Sequence, residues 1–123
     1  MAFKTSAKKR KYAREYMSKR YREDPDFRRR QTECRKAVAK RYKTELKNLL
    51  ADFRSQGCKL CREMDPACLV AHHLFDKTFL ISHANRRRLS PKRIAEELKK
   101  CVCLCSNCHM KLHAGSIPKE ALA

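Results

Sequence analysis

The chain lacks the long apolar runs that a membrane-spanning helix or a secretory leader needs. No stretch approaches the roughly 18 apolar residues of a bilayer span. The opening segment, Met1-Ala2-Phe3-Lys4-Thr5-Ser6-Ala7-Lys8-Lys9-Arg10, has no apolar run that could act as a signal peptide. A helical membrane protein is therefore excluded, and a cytoplasmic rather than secreted location is expected. Acidic residues are also scarce, with 13 Asp+Glu against 31 Lys+Arg and a net charge of +18. Such an excess repels itself unless a polyanion offsets it, which makes nucleic acid the first candidate partner and an acidic membrane surface the second. With 36% of its 123 residues charged, the chain has little material for a large core. A domain this small usually needs a disulfide, a metal or a partner to hold it.

Glycine is nearly missing, with none before Gly57, and the first 56 residues hold one proline, Pro25. That region is rich in Lys, Arg, Ala and Glu, so it should be helical almost throughout. Asp24-Pro25 marks a break, predicting one helix over about 7–22 and a second over about 25–53. Cys34, Val38, Tyr42, Leu46, Leu49, Leu50 and Phe53 recur at helical spacing and form one apolar stripe. Residues 1–56 carry 19 Lys+Arg and 7 Asp+Glu, whereas seven of the eight cysteines and all five histidines follow Gly57. Three regions result: a basic helical arm over 1–56, a chemical domain over 57–116, and a C-terminal tail over 117–123. In the chemical domain, residues 68–73 read as a strand and 79–81 as a further extended piece. Ser90-Pro91 starts a helix, 101–104 form a second strand, and a last helix runs over 107–114.

Cysteine is abundant. In a reducing compartment, paired cysteines read as metal ligands rather than disulfides. Cys58-Lys59-Leu60-Cys61 and Cys105-Ser106-Asn107-Cys108 are two Cys-x-x-Cys turns separated by 43 residues. Each turn sets two thiolates on one side of a loop, and two turns complete a closed, structural four-cysteine Zn²⁺ site. Cys34, Cys68, Cys101 and Cys103 are read as small buried hydrophobes.

The histidines cluster as well. His72-His73 ends the first strand, and His109 and His113 stand four apart, on one face of the last helix. Two tight pairs beside strand and knuckle favour a catalytic site over chance surface histidines. His83 is assigned no chemical role.

Taken together, these residues resemble the HNH endonucleases, and more narrowly a phage and bacterial subgroup. The likeness rests on the paired Cys-x-x-Cys turns, His72-His73, Asp76-Lys77, Phe79-Leu80-Ile81-Ser82, Glu97-Leu98-Lys99-Lys100-Cys101 and Leu104-Cys105-Ser106-Asn107-Cys108-His109. It covers about 57–116. The resemblance implies an α+β fold: a zinc-stapled ββα-metal domain preceded by the long basic arm. It also implies a DNA endonuclease that leaves a 5′-phosphate, with His73 as general base. His72, His109 and His113 would hold a divalent cation such as Mg²⁺, Mn²⁺ or Zn²⁺. The family's middle Asn falls on Lys100. Neighbours on a regular strand face opposite ways, so His72 and His73 share a site only if the strand ends or twists there.

The expected partner is DNA, gripped through its phosphate backbone by Lys8, Lys9, Arg10, Lys11, Arg14, Arg28, Arg29, Arg30, Arg86, Arg87 and Arg88. No membrane partner is expected, and a homodimer is left open. The rival readings are a non-catalytic zinc-binding DNA-binding protein and an RNA-binding basic protein.

Overall fold

A glycine-free sequence of good helix formers winds into two helices in the computed structural model, which describes residues 6–123. They are α1, Ser6–Glu23, and α2, Pro25–Arg54. The joint is one residue wide. The Asp24 N–H still reaches the Arg20 carbonyl at 2.9 Å, and its carboxylate accepts from the Phe27 N–H at 2.9 Å. This cap satisfies a donor that the start of α2 would otherwise leave orphaned, while Pro25 has no N–H to satisfy. The Arg20 guanidinium lies 4.3 Å above the Phe27 ring, which is buried. None of α1's residues is buried.

The chain divides into two compact units, Met1–Arg41 and Tyr42–Ala123, and α2 runs through the division. The apolar stripe of α2 is shorter than its periodicity predicts. Cys34 and Val38 are exposed, Val38 at 51%. Burial begins with Tyr42 and Leu46, and the Tyr42 hydroxyl donates to the Leu89 carbonyl at 2.8 Å. Periodicity tells which residues share a side. Burying them takes an opposing surface, and the apolar residues from Phe79 to Leu98 cover only the part of α2 from Tyr42 to Phe53.

The second unit is a mixed α+β fold built on a two-stranded antiparallel sheet, β1 (Leu69–His73) with β2 (Cys101–Cys105). Leu69 pairs with Cys105, and His73 with Cys101. Between the strands lie a 3₁₀ turn at Ile81–His83 and α3, Pro91–Leu98; α4, Ser106–His113, follows β2 directly. Ser90 caps α3 as expected, accepting from the Arg93 N–H at 3.3 Å, with Pro91 in the first position. Alternation along β1 sends Ala71 into the cluster of Phe79, Ala84, Ile94 and Leu98, and His72 towards the rings of α4. A second cluster, with Leu69, Cys103, Leu104 and Leu112, surrounds the cysteine turns.

Two local expectations change, at residues 79–81 and at Cys68. Residues 79–81 form no strand: Phe79 is a core residue, and Ile81 opens the 3₁₀ turn. Cys68 is exposed in a 3₁₀ turn, Pro66–Cys68, capped by Asp65, and does not enter β1. Residues 117–123 dock on the domain: Leu122 is buried in the second cluster, and its carbonyl accepts from Lys59 Nζ at 2.8 Å.

Candidate metal centres and their cleft

The first cysteine turn begins at Gly57, whose φ of 70° lies in the left-handed region. A Cβ there would displace the Met64 sulfur, which its exposed side chain can move aside, and would stand 3.0 Å from the Glu63 carbonyl, so the positive φ is what calls for glycine. The turn closes through Cys58 N–H to the Glu63 carbonyl at 2.8 Å and Arg62 N–H to the Cys58 carbonyl at 3.0 Å. Lys59 N–H ties it to the Cys103 carbonyl at 3.0 Å, setting the turn against β2. In the second turn, Cys105 ends β2 and caps α4, with Cys108 N–H 3.4 Å from its sulfur. One residue thus serves as strand end, helix cap and candidate ligand.

The sulfurs of Cys58, Cys61, Cys105 and Cys108 all lie within 4.8 Å of one another, and those of Cys61 and Cys105 are 3.5 Å apart. Four thiolates about 2.3 Å from one zinc would be about 3.8 Å apart, so the four could hold such a metal with small adjustment. Their acidities show the charge conflict a cation would relieve. Burial and the neighbouring thiols push Cys108 up to about 12. Burial opposes the Cys58 thiolate too, but N–H groups of Cys105, Cys61 and Leu60 outweigh it and bring Cys58 down to about 6.

The second centre is built from imidazoles. His109 and His113, one turn apart on α4, approach to 3.1 Å between their Nε2 atoms. The His72 ring centre lies 5.2 and 5.4 Å from theirs, and the three offer ligand atoms within 4.8 Å of one another. Burial lowers the pKa of His72 and His109, and neighbouring imidazoles lower both further. Neutral rings with free lone pairs are what a cation needs. A cluster of three nitrogen ligands suits zinc-like ions better than Mg²⁺.

His73 closes β1 on the opposite face from His72, and the strand ends there, so both rings border one open cleft of about 370 Å³. The cleft also takes in Leu74, Phe75, Asp76, Lys77, His109 and His113. The His73 Nε2 lies 2.9 Å from Glu97 Oε1. Glu97 is only 3% exposed, and its two oxygens meet the Thr78 N–H at 2.8 Å and Lys100 Nζ at 3.0 Å as well. Burial pushes this carboxyl up, but the bonds from Thr78, Lys100 and His73 outweigh that and bring it down to about 2. Glu97 is therefore an acceptor for the groups around it. Sequence reasoning missed Glu97. The signal was its place three residues after Ile94, on the buried side of α3, where a carboxylate must find partners.

Lys100 does not itself reach His73. Its ammonium is spread over Glu97, the Thr78 hydroxyl at 3.0 Å and the Asp76 carbonyl at 2.9 Å. His83 sits half-buried in its 3₁₀ turn, outside the histidine cluster. Lys8, Lys9, Arg10, Lys11 and Arg14 are exposed on α1, and Arg28, Arg29 and Arg30 on α2. Arg86, Arg87 and Arg88 are exposed on the turn before α3 and do not line the cleft. No helix among the described residues is long and apolar enough to cross a membrane. No family model matches the chain, and comparisons with curated proteins and with solved structures find no match.

Proposed function

We propose that the chain is a metal-dependent DNA endonuclease of the HNH type, in which the cysteine turns hold structural zinc and the histidine cleft cuts the phosphodiester. One observation carries this reading: residues 72 and 73 at a strand end meet residues 109 and 113 of α4 at one open cleft. In it, His73 takes a proton from water as the water oxygen forms a bond to phosphorus. The bond from phosphorus to the 3′-oxygen breaks, leaving a 5′-phosphate, and solvent returns a proton to the departing oxygen. His72, His109 and His113 would hold a divalent cation, which supplies charge stabilisation at the phosphate and the leaving oxygen. Lys77, exposed on the cleft's rim, is placed to attract the phosphate backbone. The exposed lysines and arginines of α1 and α2 support DNA as the polyanion, through contacts that position the duplex without reading its bases.

Plasmid nicking with Zn²⁺, Mn²⁺ or Mg²⁺ tests the reading. The native chain is expected to nick, with Zn²⁺ or Mn²⁺ ahead of Mg²⁺, and His73→Ala to lose at least about a hundredfold in rate. Nicking indifferent to that substitution would dismiss His73 as the base. DNA binding without cleavage under every cation would favour the non-catalytic zinc-binding module, which the same exposed basic residues also support.

A further inference from the structure

We infer that Glu97 is the positioning residue of the cleft: it holds His73 in the tautomer and orientation that turn the lone pair of Nδ1 outward. The catalytic part of this inference rests on the nuclease reading above; the tautomer itself does not.

The geometry is specific. A single oxygen of Glu97, Oε1, receives both the His73 Nε2–H at 2.9 Å and the Thr78 N–H at 2.8 Å. The other oxygen receives Lys100 Nζ at 3.0 Å. The carboxylate therefore cannot turn without breaking one bond to backbone and one to an ammonium. Lys100 also binds the Asp76 carbonyl and the Thr78 hydroxyl, so the loop that follows His73 is fastened to the same carboxylate. Among the described residues no hydrogen bond engages His73 Nδ1, and no buried side-chain nitrogen lacks a partner, so Nδ1 keeps some contact with solvent in a residue that lines the cleft. An imidazole that donates from one nitrogen to a fixed carboxylate keeps its other nitrogen as a proton acceptor, and the wrong tautomer is costly in rate. The helix that supplies Glu97 is anchored by Ile94 and Leu98, both buried, so the carboxylate stands on a rigid element. Lys100, at the position of the family's middle Asn, acts one step back by fixing Glu97.

The test uses the full chain prepared with zinc and labelled with ¹⁵N at histidine. Ring-nitrogen shifts at alkaline pH should show His73 protonated at Nε2 and bare at Nδ1 in the native chain, and a mixture of tautomers in Glu97→Ala. A native His73 protonated at Nδ1, or a tautomer unchanged by Glu97→Ala, would overturn the inference. The native measurement stands even if that variant folds poorly. In nicking assays, Glu97→Ala should lower kcat about a hundredfold with KM within about twofold. It should add no further loss in a His73→Ala background. A loss that persists without His73 would mark Glu97 as merely structural and sink the proposal. A native chain that nicks nothing, yet shows the Nε2–H tautomer that Glu97→Ala scrambles, would remove the nuclease reading and leave the Glu97–His73 pairing in place.

Discussion

The two compact units answer the same shortage of apolar residues in opposite ways. Met1–Arg41 holds 16 of the 31 Lys+Arg, buries only Phe27 among its described residues, and relies on helix propensity and one cap. Tyr42–Ala123 buries two apolar clusters and brings four sulfurs and three imidazoles into ligand range. The first unit therefore depends on local, backbone-level terms worth tenths of a kcal/mol to about 1 kcal/mol each. The second depends on long-range closure, which a cation can supply in one step. In the proposed nuclease, local stability would suit a segment that follows a polyanion's shape, and closure would suit a cleft whose groups must keep their distances.

The sharpest way to break this contrast is to withhold the metal that the four cysteines could hold. Chelation, or Cys108→Ser, is expected to abolish the dispersed NMR signals of residues 57–123 while the helical signature of α1 persists. Structural zinc in zinc-finger peptides is worth about 10–16 kcal/mol, and a site of that strength here would outweigh what clusters this small supply. Retained dispersion in the metal-free chain would show that the apolar clusters suffice. Proton release follows from the same site. The Cys108 thiol stands at about 12 without metal, so it is protonated at neutral pH and must lose its proton to bind. Zinc addition should release protons near neutrality, and affinity should weaken as pH falls, measured by calorimetry in buffers of different ionisation enthalpy.

Cavity formation should divide the units next. Leu104 is fully buried, and Leu104→Ala is expected to cost about 3 kcal/mol in urea unfolding of the zinc-bound chain. Val38→Ala, on the same helix as the buried Leu46, should change stability by less than about 0.5 kcal/mol, because Val38 is half-exposed. An equal cost at both positions would contradict the early end of the buried stripe.

Charge removal probes the arm. Replacing Arg28, Arg29 and Arg30 together by alanine should weaken DNA binding and flatten its salt dependence, by about 0.9 in the logarithmic slope for each phosphate that the arm no longer neutralises. The turnover rate at saturating plasmid should hold. An unchanged slope would place the DNA-binding surface elsewhere. The smallest effect belongs to Cys34→Ser, which should leave zinc content unchanged and stability within about 0.5 kcal/mol, since Cys34 is exposed on α2.

Much of this architecture can be read from spacing. The break at Asp24-Pro25, the cap at Ser90-Pro91 and the two Cys-x-x-Cys turns are local features, and each lies where the sequence predicts. The placement of Cys34, Val38 and Cys68 went the other way. Each fits an apolar pattern, yet each is exposed, since a pattern names a side but not what covers it.

By itself, then, the order of residues determined which side chains stand one turn or one strand step apart: Cys58 with Cys61, Cys105 with Cys108, His109 with His113. The tertiary structure brings the two cysteine turns together, as their pairing predicts, and sets His72 beside the α4 histidines, as the resemblance implies. It alone decided that His73 finds Glu97, 24 positions away, instead of the lysine at position 100. Backbone geometry repeats over a few residues and is written locally. Partners across the fold are chosen by packing and by the need of a buried carboxylate for donors, and both belong to the whole domain.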